Sequence, residues 1–175
     1  NAAIAVARLG ERAVFWSRLG DDVNAPLVAS ALEAEGIDIA GLHRASGGRT
    51  PVSAVLIEKG GERSTFSFRG EQLGIDPSWL PVERLADAQA ITCDPRWPEG
   101  VTHALAEARA RGIPSVIDGE KSETRILVDL IPRVDHAVFS APGLQNFAPG
   151  LKPAEGLRRA VEAGCLPAAV TRGEE

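Results

Sequence analysis

Apolar residues crowd the opening of the chain. Asn1 to Leu9 reads NAAIAVARL, with Ala, Ile and Val on nearly every face, and stops at Gly10. This predicts a buried helix whose terminal glycine takes the left-handed cap conformation. Ala13-Val14-Phe15-Trp16 follows as a strand and Arg18 to Asp22 as a loop. Leu27 to Ala34, apolar at helical spacing and closed by Gly36, reads as a second helix. The period then changes to two. Val52 to Ile57 and Ser64 to Phe68 flank a Lys59-Gly60-Gly61-Glu62 turn and predict an antiparallel hairpin, one face of which meets solvent, a ligand or a partner subunit. From Asp76 onward short apolar runs alternate with amphipathic ones. Ala88–Thr92, Ser115–Ile117, Ala137–Phe139 and Ala168–Val170 read as strands; Val101–Arg109, Ile126–Ile131 and Leu157–Ala163 read as helices. A strand every 20 to 30 residues or so fits right-handed crossovers and a mostly parallel sheet. The expected class is α/β, with a core over residues 1–37 and 72–175 and a small β subdomain over 38–71.

Composition narrows the function more than the fold. The 175 residues are the length of one domain, or of a domain with a small appendage. A balance of 19 basic against 24 acidic residues, net −5 and without a basic stripe, argues against nucleic-acid binding. Cys93 and Cys165 match no metal-ligand spacing and read as reduced, cytoplasmic thiols. No apolar run reaches membrane-spanning length and no export leader opens the chain. The chain has no Met, begins inside a helix and ends at Glu174-Glu175 just past an apolar strand. These features lead us to expect a piece of a longer protein.

In open α/β sheets, ligands bind beyond the carboxyl ends of the strands, where loop amides and helix N-termini converge. The residues after each predicted strand are therefore the informative ones. They are Asp94, Arg96 and Trp97; Asp118, Glu120 and Lys121; Ser140; and Thr171, Arg172 and Gly173. Arg96, stiffly presented between Pro95 and Trp97, suits an anion, because its guanidinium can fork onto sulfonate, phosphate or carboxylate oxygens. Asp118 is equally readable as a cap of the following helix or turn. Trp97 reads as packing, Asp21-Asp22 as a loop with a helix cap, and the scattered His43, His103 and His136 as non-catalytic. Dinucleotide, P-loop, nucleophile-elbow and zinc patterns are all missing from the sequence.

Asn1-Ala2-Ala3, Ala7-Arg8-Leu9-Gly10, Leu19-Gly20-Asp21-Asp22 and Leu32-Glu33-Ala34-Glu35-Gly36-Ile37-Asp38 follow one another in an order and spacing that resemble the first signature region of the ribokinase-like (PfkB) carbohydrate kinases. Ala169-Val170-Thr171-Arg172-Gly173-Glu174 resembles that family's nucleotide segment, so the likeness runs through essentially the whole chain. It implies a ribokinase-like fold in which the hairpin is a lid over the sugar and a dimer interface. It also implies phosphorylation of a sugar hydroxyl with ATP and Mg2+. Asn1 falls on a sugar-contacting Asn, Ser140, Thr171 and Gly173 on the nucleotide side, and Asp118 and Glu120 near the metal and phosphate. Ser140-Ala141-Pro142-Gly143 stands where the family has N-x-x-E. Asp94-x-Arg96-Trp97, Asp118-Gly119 and Asp135 to Leu144 are similar to the branch acting on 6-deoxy-6-sulfofructose, which implies that Arg96 holds a sulfonate. Ser67 stands where that branch has a lid Asn. The family's catalytic Asp belongs to a segment beyond residue 175, so this stretch alone is expected to be inactive. The rival expectation is a non-catalytic relative that binds a sugar or nucleoside.

Overall fold

The computed structural model describes residues 1–173; Glu174, which closes the C-terminal motif, and Glu175 lie outside the described residues. The chain divides into two compact units, Asn1–Gly74 and Ile75–Glu175.

The first unit opens with α1 (Ala2–Arg8), β1 (Val14–Leu19), α2 (Asn24–Ala34) and β2 (Asp38–Arg44), and continues into β3 (Val52–Ile57) and β4 (Arg63–Phe68). The predicted buried helix is a correction: no residue of α1 is buried. Only Ala3, Ile4, Val6 and Ala7 turn inward, against a small core of Ala13, Leu32 and Ile37, and the rest of its apolar surface is small alanine. Gly10 takes φ +90°, the left-handed ending its position predicted. β1 runs on through the predicted loop to Leu19 because it pairs in parallel with β2, a strand that periodicity did not reveal. Gly41 interrupts the β2 pattern for a steric reason: a Cβ there would lie 2.1 Å from the Trp16 ring. β3 and β4 form the antiparallel hairpin as a separate two-stranded ribbon. Its register puts Val52, Ala54, Leu56, Phe66 and Phe68, with Ser64, on one face and Ser53, Ser67 and Thr65, with Val55, Ile57 and Arg63, on the other.

The second unit is a parallel sheet in the order β5 (Ile91–Cys93), β6 (Ser115–Gly119), β7 (His136–Phe139), β8 (Ala168–Val170). The connections are α3 (Pro98–Ala110), α4 (Thr124–Leu130), and the pair α5 (Ala141–Phe147) and α6 (Pro153–Glu162). Each helix packs on the next, which makes one helical layer. Beneath it Ile117, Phe139, Leu127, Leu130, Ile131 and Val134 are fully buried. The alternate strand positions Thr92, Asp118, Val138 and Ala169 face away from that layer and are exposed. β5 starts at Ile91, not Ala88, since Ala88 caps a 3-10 helix over Val82–Asp87. At the far end of the sheet, Asp135 accepts from both the amide (2.8 Å) and the hydroxyl (2.6 Å) of buried Ser115 and so clasps β6 to β7.

Candidate functional site

The parallel register aligns the strand ends. Cys93 sits beside Ile117, Asp118 beside Val138, and Gly119, Phe139 and Val170 side by side. Asp94, Asp118-Gly119-Glu120, Ser140 and Thr171 therefore share one edge of the second unit, as the spacing of the strands implied. Of the readings of Asp118 the structure removes the helix cap: Asp118 belongs to β6, and Glu123 is the residue before α4.

Arg96 is held by its neighbours. Its backbone N–H donates to Asp94 Oδ1 at 2.8 Å, and Pro95 before it is buried. Trp97 after it stacks on Trp79, with ring centroids 5.4 Å apart, and its indole N–H reaches the Ile75 carbonyl at 3.2 Å. The indole also fills the space that a Cβ on Gly100 would need, 2.3 Å away. Trp97 is thus a packing residue that fixes the backbone from which exposed Arg96 extends.

Burial first, then the like charges of Glu120 and Asp94, push the Asp118 carboxyl up from its ordinary 3.8, and Arg96 opposes them. Shifts of this kind concentrate where charge is used. The sign for stability follows from the direction. A carboxyl raised in the folded state favours folding below its unfolded pKa and loses that contribution as the pH rises through the folded value. Asp118→Asn should therefore be more stable than wild type at pH 7, with the difference vanishing below about pH 3.9. Carbon-13 NMR of the carboxyl against pH, together with urea melts at both pH values, checks both statements. A carboxyl titrating at or below the ordinary value contradicts them.

Beside these charges lies a backbone seam. Ser140 donates its N–H to the Gly119 carbonyl at 3.3 Å and caps α5, its hydroxyl accepting the Gly143 N–H at 3.1 Å. Gly143 presses on Gly119 so closely that a Cβ would stand 1.7 Å from the Gly119 oxygen. Thr171 completes the edge: its N–H donates to the Phe139 carbonyl at 2.9 Å, with its hydroxyl 3.4 Å from the same oxygen. Gly173 turns with φ +67°. A cavity of about 330 Å3 opens beside Thr171 between Ala141, Leu144, Gln145, Pro153, Val170 and Arg172. A larger groove, about 600 Å3, runs between α3 and α4 on the helical layer and includes none of these strand-end residues. Burial, and then the charges of Asp94 and Asp118, push the Cys93 thiol at the strand end up to about 12, which keeps it protonated at neutral pH. Among the described residues no group of three or more His, Cys, Asp or Glu is placed to hold a metal ion, and no helix is long and apolar enough to cross a membrane.

Asn1 belongs to the first unit. It is exposed at the start of α1, and its side chain makes no capping bond. Ser67 hydrogen-bonds across the ribbon to Ser53, with the hydroxyls 2.8 Å apart.

Two features escaped the sequence reading. α5 was not expected, although Pro is favoured in a first helical turn and Ser is a preferred cap. Asp22 was read as a loop residue with a helix cap, but Val23 is the cap position, and the bonds from Thr50 to Asp22 join residues 28 apart, with no local signal to expose them.

Known proteins carry the comparison further. Residues 1–175 match the family model described as pfkB family carbohydrate kinase. The curated "Probable fructokinase-3" of Arabidopsis thaliana is 41% identical over 93 residues, 52% of this chain and 27% of that protein. Fructokinase-2 of Solanum habrochaites is 38% identical over 93 residues, again 52% of this chain and 28% of that protein. A candidate ribokinase from Agrobacterium tumefaciens superposes with a TM-score of 0.90 at 32% identity, covering 98% of this chain and 56% of that one. The fructokinase of Halothermothrix orenii superposes with a TM-score of 0.82 at 19% identity, covering 99% and 66%. The chain thus spans little more than half of the Agrobacterium protein.

Proposed function

Because this chain belongs to the PfkB family of carbohydrate kinases and has the ribokinase-like α/β fold, we propose that the full protein transfers the γ-phosphoryl group of ATP to a hydroxyl of a ketose-type sugar. The observation that carries this reading is the shared strand-end edge of Asp94, Arg96, Asp118, Glu120, Ser140 and Thr171. Phosphoryl transfer depends on positioning and charge stabilisation, and this edge supplies both. Ser140, Thr171 and Gly173 line the nucleotide side, next to the cavity at Val170 and Arg172. The Asp118 carboxyl, raised first by burial and then by Glu120 and Asp94, is opposed by the Arg96 guanidinium. Asp118 and Glu120 would face the magnesium ion carried on the nucleotide's phosphates, whose charge would offset that of the phosphoryl group. Asn1 holds a sugar hydroxyl, the β3–β4 ribbon covers the sugar, and its apolar face pairs with a second copy in a cytoplasmic dimer. On this reading the catalytic base is not among these residues, and the chain alone would not phosphorylate a sugar.

Arg96 binds an anionic substituent of the sugar, the sulfonate of a sulfosugar being the reading that its D-x-R-W setting supports. A charge-assisted hydrogen bond is worth about 1.5–3 kcal/mol. Arg96→Ala in the full protein should therefore raise KM for an anionic sugar about 10- to 100-fold and leave neutral sugars unchanged. The check is an ATP-coupled assay of wild type and variant with fructose, ribose and 6-deoxy-6-sulfofructose. Equal loss on neutral and anionic sugars assigns Arg96 to packing. Sugar binding by calorimetry without turnover of any sugar overturns the kinase reading in favour of a binding protein.

A further inference from the structure

The root of the β3–β4 ribbon gathers several polar bonds of the first unit onto one carboxylate. Thr50 is 1% exposed. Its hydroxyl donates to Asp22 Oδ1 at 2.6 Å and its amide to Asp22 Oδ2 at 3.0 Å, while its Oγ1 accepts the Gly20 N–H at 3.1 Å. At the start of α2 the Ala25 N–H donates to the Asp22 backbone carbonyl at 3.2 Å, and after Thr50 the amides of Ala25 and Asn24 help hold the Asp22 carboxyl below its ordinary value. Alongside, Asp21 accepts the Gly47 N–H at 2.9 Å and gives its own N–H to the Gly48 carbonyl at 3.3 Å. Nothing larger than glycine fits at position 20, where a Cβ would lie 2.2 Å from the Gly48 oxygen. On the return side Arg49 and Glu71 exchange backbone bonds of 2.9 and 3.2 Å.

Among the described residues little packs on the ribbon beyond this root, where the Arg49 guanidinium lies 5.0 Å from the centroid of the Phe68 ring. Every residue of β3 and every residue of β4 except half-buried Phe68 is exposed. Val52, the first strand residue, follows Thr50 after a single stiff Pro51. Two bonds from one residue to the two oxygens of one carboxylate fix both separation and twist, as a single bond cannot. The end of β1, the start of α2 and the strand entering the ribbon all meet at that carboxylate.

We propose that Asp22, acting through Thr50, is the positioning residue that sets the angle of the β3–β4 ribbon against the rest of the first unit. Its effect on sugar binding rests on the proposed role of the ribbon as a cover. Its effect on ribbon geometry does not.

The test uses the full protein with spin labels at Glu62→Cys, in the ribbon turn, and Glu33→Cys, on α2. Electron-electron resonance then gives their distance distribution. Thr50→Val should broaden and shift the distribution, and Thr50→Ser should restore it. Asp22→Asn, which keeps one acceptor oxygen, should broaden it partly, and it supplies the readout if Thr50→Val does not fold. In parallel, Thr50→Val should raise KM for the sugar about tenfold, the size of one lost charge-assisted bond, while KM for ATP stays at its wild-type value. A distribution identical to wild type in folded Thr50→Val or in Asp22→Asn overturns the proposal. A changed distribution in a protein that phosphorylates no sugar upholds the latch and overturns the kinase reading instead.

Discussion

Gly143→Ala should cost the second unit about 3 kcal/mol or more of stability, the upper end of what a small-to-large change inflicts. The added Cβ would stand 1.7 Å from the Gly119 oxygen, 2.8 Å from its carbonyl carbon and 3.0 Å from Ser140 Oγ. The two nearest are backbone atoms of a strand paired to Phe139 of β7, so no rotamer change can relieve the collision. Retreat of α5 would break the bond from the Gly143 N–H to Ser140 Oγ, a cap worth about 1 kcal/mol in its own right. A urea titration should show a lower midpoint with an unchanged slope. A variant within about 0.5 kcal/mol of wild type would mean that α5 does not sit this close to β6.

Phe139→Ala should cost about 3–5 kcal/mol, the range for emptying an aromatic site in a core. Phe139 is fully buried, with the ring of Phe147 at 5.5 Å on one side and Gly119 on the other, where a Cβ would come within 2.5 Å of the Phe139 ring. Few neighbours can collapse into the space, because it is bounded by backbone as well as by side chains. Phe139→Leu, which keeps most of the volume, should lose much less in the same denaturation series. Equal losses for the two variants would refute a cavity origin.

Both sites show what could be read in the sequence and what could not. The four strands of the second unit and the polar residues after them were legible, because parallel strands leave short apolar runs and their carboxyl ends are where polar residues collect. The hairpin was legible from period-two alternation about Gly60-Gly61. β2 and α5 were not, and for one shared reason: each contains a glycine whose missing side chain is an answer to a distant group. Gly41 makes room for Trp16 and Gly143 for Gly119. A glycine in one dimension reads as a break in the pattern, and only the fold shows what occupies its place. Asp118 was recognised as a candidate, but the burial that chiefly raises its pKa, and the added charge of Asp94 from another strand end, belong to no single segment. The link from Asp22 to Thr50 was hidden in the same way.

The order of the sheet has a kinetic consequence. β5, β6, β7 and β8 lie side by side in the order in which they occur in the chain. Each new strand therefore finds its partner already formed, one crossover earlier, and never has to wait for a segment still to come. Loop closure stays inexpensive when the ends being joined are near in sequence, and low contact order speeds folding. A ribosome releasing this stretch from its amino end would present the strands in assembly order. The second unit can grow by addition to one edge during synthesis, with β8 laid down on β7.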